Sequence, residues 1–163
     1  TTKVLTKFEQ LVDELKRDDF LYVVPDFRLN KQFEKLNSLS EVYKQKVEFL
    51  CNECCWYGCK DRRECYKTVS KQNLGIDCTD HICKAPYSNE GYRFSRVMES
   101  PGFISLDDIL NIYVPMGYSN FKIEGRDLGN ALLLEFILYY MVKPQYQIHV
   151  REAMYLDAML DLF

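Results

Sequence analysis

KVEFLCN, residues 46–52, is the stretch on which the fold turns, and ECCWYGCKDRREC, residues 53–65, is the run on which the chemistry turns. The first is short, β-branched and aromatic, and it reads as a buried strand. The second opens where that strand ends. Together they place five of the seven cysteines between Cys51 and Cys65.

Working upstream, KQFEKLNSLSEVYKQ carries Phe33, Leu36, Leu39 and Tyr43 at helical intervals, with an Asn-Ser pair in its middle. Before it, FLYVVP (20–25) is a second aromatic and β-branched run, closed by a proline, and is expected to be a strand. Val4, Leu5, Phe8, Leu11, Val12 and Leu15 recur every three or four residues, which predicts an amphipathic helix ending near Arg17.

Downstream, residues 75–101 are rich in glycine, proline, aspartate, serine and asparagine without periodicity and are expected to hold one short helix, as the later part of a long cysteine-bearing excursion over about 51–101. SLDDILNIYVPMG predicts a helix with Ser105 as N-cap, Asp107 and Asp108 in its first turn, and Gly117 as its stop. YSNFKIEGR (118–126) contains a third strand, whose alternation sets Lys122, Glu124 and Arg126 on one face and Phe121 and Ile123 on the other. ALLLEFILYYMV is apolar almost all round, as a buried helix is, and Pro144 follows its end. HVREAMYLDAMLDLF repeats Val150, Met154, Tyr155, Met159 and Leu162 at helical spacing. Strands alternating with helices predict an α/β class with parallel strands and crossover helices, in a single domain over 1–163. Three parallel strands leave two unpaired edges.

Composition limits what the cysteines can do. A chain of 163 residues can bury a core without disulfide staples. Its 21 basic and 24 acidic residues give a net charge of -3, which rules out a global attraction for nucleic acid or anionic lipid. No window reaches the roughly 18 apolar residues of a membrane span, and the first residues lack the apolar run of a signal peptide, so the expected location is cytoplasmic. In that compartment thiols stay reduced unless they hold a metal or turn over, and the odd cysteine count agrees.

The spacing Cys55-x3-Cys59-x5-Cys65, followed by Cys78 and Cys83, brings thiolates from a strand end, a turn and a loop. Structural zinc usually uses Cys-x2-Cys knuckles, and none is present. Iron–sulfur clusters accept looser spacings. A [4Fe-4S] cluster on Cys55, Cys59, Cys65 and Cys83 is therefore favoured over zinc, with Cys54 and Cys78 as competing ligands. The Cys-x3-Cys-x2-Cys arrangement of radical enzymes fails by one residue, because Gly58 stands where the third sulfur belongs. A nucleophilic Cys54 or Cys55 finds only His81 and His149 in the whole chain and no catalytic context. Cys51, on the strand, is expected to be a buried free thiol, and silence of all seven is the competing reading.

PDFRLN, KVEFLCNECCWYGC and FISLDDILNIYVPMGYSNFKIEGR, followed by an apolar tyrosine-rich helix, resemble the C-terminal half of the barrel of collagenase-like U peptidases, family thirty-two, and their iron–sulfur relatives. The resemblance covers roughly residues 20–143, and Lys122 to Arg126 is its most specific piece. It implies a half TIM-type barrel, with the strand ends gathered at one mouth. Asn52, Glu53, Glu124 and Arg126 are then the substrate-binding candidates, and Arg126 could grip a carboxylate or phosphate. It also implies that a second copy or a partner chain completes the barrel. Relatives with four cysteines are similar to proteins assisting oxygen-independent hydroxylation of RNA bases or ubiquinone precursors, and others are described as peptidases. This sequence has no HExxH helix and no Ser-His-Asp order. A non-enzymatic interaction module is the reading from a different class, fed by twelve tyrosines and ten phenylalanines. RNA stays open as a partner through Lys60, Arg62 and Arg63.

Overall fold

The computed structural model describes residues 5–125 and 128–160. Val4, Arg126 and Leu162, each named above, lie outside the described residues. The chain forms two compact units, Thr1–Lys122 and Ile123–Phe163.

The first unit is built on a small parallel sheet. β1 (Glu48–Leu50) pairs with β2 (Asn120–Lys122) in the register Glu48 to Asn120 and Leu50 to Lys122. Val23 adds a parallel bridge to Val47 on the other side, with its N–H on the Lys46 carbonyl at 2.8 Å. All three expected strand segments thus pair in parallel, and the class is mixed α/β. The segment 20–25 contributes only that bridge, however. Phe20, Leu21 and Tyr22 are exposed rather than buried, and Pro25 has no N–H to extend the ladder.

The helices follow the sequence with instructive departures. α1 (Phe8–Leu15) buries Leu11 and Leu15. The helix expected across the Asn-Ser pair is two, α2 (Phe33–Asn37) and α3 (Glu41–Lys46), because the Ser40 hydroxyl accepts from the Tyr43 N–H and caps a fresh start. α4 (Arg62–Asn73) rises inside the excursion where no helix was expected. α5 (Phe94–Met98) is the short helix of the later part. Ser105 caps α6 (Leu106–Asp108) in a capping box with Asp108, and the helix widens into a π-helical turn over Ile109–Tyr113. Gly117, at φ 94°, ends the segment against the Glu41 carboxylate.

Phe49 is the hub of the core. Its ring meets Tyr113 at 4.9 Å and Tyr118 at 5.0 Å, both edge-on, and lies over Phe121. Each buried phenol finds an acceptor: Tyr113 donates to the Asn30 carbonyl at 2.6 Å and Tyr118 to the Leu36 carbonyl at 2.8 Å. These bonds tie the turn after residue 25 and the end of α2 to the chain leading into β2.

The second unit holds α7 (Asn130–Met141) and α8 (Pro144–Leu160). Pro144 opens α8 at a position where a missing N–H costs nothing, so this helix starts five residues before the expected His149. Arg151 grips Glu135 through two bonds of 2.9 and 2.6 Å, and Gln147 donates to the Leu138 and Val142 carbonyls at the end of α7. No helix among the described residues is long and apolar enough to cross a membrane.

Candidate functional site

Parallel pairing sends the ends of the Val23 segment, β1 and β2 the same way, and ligands of open α/β sheets lie beyond such ends. Beyond the Val23 segment comes Asp26, and beyond β1 come Asn52, Glu53 and the cysteine run. Asp26 starts a 3-10 turn (Phe27–Leu29) by accepting from the Arg28 N–H at 3.0 Å. Its other oxygen accepts from Arg62 Nη1 at 3.0 Å. Arg62 Nη2 donates to Glu53 Oε2, and Glu53 Oε1 accepts from the Cys55 N–H at 2.9 Å.

All three charged residues are at most 4% exposed. Arg28 Nε stands 3.3 Å from Asp26, so the charges alternate as Arg28, Asp26, Arg62, Glu53 and sum to zero. Phe27 and Tyr66 cover the Arg62 guanidinium, with ring centroids at 5.0 and 5.1 Å. Burial works against the charge of Arg62, but Glu53 foremost, then Tyr66, Cys55 and Asp26, outweigh it and raise its pKa. This buried network is the feature that sequence reading missed. Arg62 looked like one of three surface cations, yet only Lys60 and Arg63 of that run are exposed.

Asn52, expected at a substrate, is fully buried, and Cys54 Sγ lies 3.4 Å from its carbonyl. Glu53 has both carboxylate oxygens engaged, one on Arg62 and one on the Cys55 amide. Glu124 is half-buried and belongs to the second unit. Arg126 lies outside the described residues.

Of the sulfur candidates, Cys55 is half-buried, and its thiol is pushed up to about 12 by burial and by Glu53, against the pull of Arg62. Cys59 follows a turn closed by its N–H on the Trp56 carbonyl at 3.0 Å. Cys65 sits in the first turn of α4 with its N–H on the Asp61 carbonyl at 2.9 Å. The loop returns onto this corner: Cys78 Sγ is 3.8 Å from the Thr68 carbonyl of α4, and Lys84 Nζ is 2.9 Å from Asp61. A cleft of about 310 Å³ lies at this corner, lined by Trp56, Gly58, Cys59, Lys60, Asp61, His81 and Lys84. Cys83 is exposed beside it in sequence.

No disulfide joins any of the seven cysteines. The donors suit a soft metal in kind, since thiolates select iron–sulfur clusters and zinc. They do not stand as a coordination sphere: among the described residues, no three His, Cys, Asp or Glu side chains form a group that could hold a metal ion. Cys55, Cys59, Cys65 and Cys83 share one corner of the fold without converging on a point. No family model, curated protein or solved structure matches the chain.

Proposed function

We propose that the chain is a metal–sulfur domain, in which Cys55, Cys59, Cys65 and Cys83 give thiolates to a [4Fe-4S] cluster, with zinc as the alternative ion. The observation that carries this reading is the return of residues 78–84 onto the corner of α4, through Lys84 on Asp61 and Cys78 on the Thr68 carbonyl. That return brings a late, cysteine-bearing loop back to the turn that carries the early cysteines. Thiolate sites commonly close only as the metal binds, because ligands must lose protons and repel one another without it.

The same reading makes the sheet a portion of a larger parallel barrel, as the family resemblance implies. Its support is the parallel pairing of all three strand segments. A second copy or a partner chain would extend the sheet at its edges.

Protein purified under argon is expected to be brown and to contain about four iron and four sulfide per chain, both falling when Cys59 becomes serine. Colourless protein with one zinc per chain would reassign the sulfurs to a structural cage. Colourless, metal-free protein sinks the reading. In that event exposed Trp56, Leu74, Ile76, Ile82, Tyr87 and Tyr92 favour an interaction module, since all six lie in the excursion.

A further inference from the structure

Two segments line the cleft at the start of α4. Residues 56–61 supply one, folded into a turn by the Cys59 N–H on the Trp56 carbonyl at 3.0 Å, and residues 81–84 of the returning loop supply the other. Lys84 Nζ, 2.9 Å from Asp61, ties the two together. Trp56 is the only tryptophan of the chain, and its indole is seated on Gly58, where a Cβ would stand 2.7 Å from Cζ2 and 2.9 Å from Cε2. Glycine lets the ring lie that close. Trp56 nonetheless stays 46% exposed, where a core aromatic would be covered.

Charge in this cleft is not balanced. Asp61 is matched by Lys84, in an exposed pair of small worth that a ligand can displace. Lys60 is exposed and forms no ion pair among the described residues, so the lining holds a surplus cation in a chain of net charge -3. A stacking ring beside unbalanced ammonium groups suits a ligand that is aromatic at one end and anionic at the other. A volume of about 310 Å³ is at the low end for small-molecule clefts, giving room for a single nucleotide but not for a dinucleotide.

We propose that this cleft binds a nucleoside monophosphate, with the base stacked on Trp56 and the phosphate held by Lys60 and Lys84. No sulfur takes part, so the proposal goes beyond the metal–sulfur reading and does not rest on it. Asp61 opposes the phosphate, both by its own charge and by engaging Lys84.

Trp56 reports on its own site, since no other tryptophan contributes to the emission. Titrating AMP into the protein as purified, at low ionic strength, is expected to quench that emission saturably. Adenosine, lacking the charge, and inorganic phosphate, lacking the base, are each expected to bind about tenfold more weakly or worse. Lys60→Gln is expected to weaken AMP binding about fivefold and Asp61→Asn to tighten it by about the same factor, as removing one charge a few ångströms away does in water. A general loss of structure would not move the two in opposite directions. Trp56→Ala, followed by calorimetry because the fluorophore is gone, is expected to bind AMP about tenfold more weakly. Absence of saturable quenching at millimolar AMP, equal affinity for AMP and adenosine, or affinity unchanged by these substitutions overturns the proposal. A short oligoadenylate held about tenfold more tightly than AMP also overturns it, assigning the cleft to a nucleic-acid strand instead.

Discussion

Arg62 Nη1 lies 3.0 Å from Asp26 Oδ2, joining the first turn of a helix to the end of a strand segment 36 residues earlier. Both side chains are almost fully buried, at 4% and 1% exposure. A buried pair of this kind adds little beyond the cost of removing its charges from water, but breaking it strands the remaining charge. Arg62→Met leaves two buried carboxylates without their shared cation, and it is expected to lower the unfolding free energy by about 3–5 kcal/mol. Adding Asp26→Asn and Glu53→Gln to that variant is expected to restore much of the loss. Urea denaturation of the single and triple variants checks both, and a single-variant cost below about 1 kcal/mol would show the network to be dispensable.

The same network shows where sequence reading reached its limit. Val47, Phe49 and Leu50 announced β1 because a short apolar run between polar breaks has few other places to go. Ser105 and Gly117 announced both ends of their helix through capping chemistry. α4 was invisible because RRECYKTVSKQN lacks an apolar stripe: its exposed Val69 and buried Arg62 invert the usual rule. The partner that makes Arg62 a core residue, Asp26, is set by the fold and leaves no local trace. FLYVVP misled in the opposite sense, since its apolar residues Phe20, Leu21 and Tyr22 stay exposed. The cysteines were legible as a cluster in sequence, but their assembly around one centre is not present among the described residues.

The core phenols predict an alkaline limit to stability. Burial raises the pKa of Tyr113, helped by Asp108, Cys51 and Tyr118, and burial raises that of Tyr118, helped by Glu41. The folded state keeps both protons where the unfolded chain releases them near its ordinary value of about 10. Their contribution is therefore complete below pH of about 10 and declines above it, by up to about 1.4 kcal/mol per pH unit for each phenol, until the folded values are passed. Tyr113→Phe takes the phenol donor from the buried Asn30 carbonyl, at about 1–3 kcal/mol, whereas Tyr118→Phe leaves the Leu36 carbonyl its bond from the Leu39 N–H and costs about 1 kcal/mol. The double variant is expected to be less stable at neutral pH and to show a flatter decline between pH 9 and 11. An unchanged slope in thermal melts across that range would remove these two residues as its cause.

Two glycines separate steric from conformational cost. A Cβ at Gly102 would stand 2.6 Å from the Phe27 ring and 2.8 Å from the Phe27 carbonyl oxygen, in a part of the core that cannot give way without moving the Asp26 turn. Gly75 sits at φ 69° with nothing within 4 Å. Gly75→Ala is expected to cost about 1–2 kcal/mol, the left-handed penalty alone. Gly102→Ala is expected to cost about 3 kcal/mol, the upper end for overpacking, because backbone is among the atoms displaced. Comparable melting temperatures for the two variants would contradict this ordering.

The thiols themselves give a test that needs no metal. Cys51 is 1% exposed, and burial pushes its thiol up to about 12, with the Lys122 backbone and Lys31 opposing only weakly. Thiolate is the reactive form, so at pH 8 Cys51 is both shielded and protonated. Cys83 is exposed, and Cys59 opens onto the cleft beside His81. Limiting iodoacetamide on reduced, metal-free protein is expected to label Cys83 first, Cys59 and Cys65 next, and Cys51 last. Peptide mapping against time reads the order directly. Early labelling of Cys51 would mean that the strand carrying it opens faster than the excursion, contrary to a core built on β1 and Phe49.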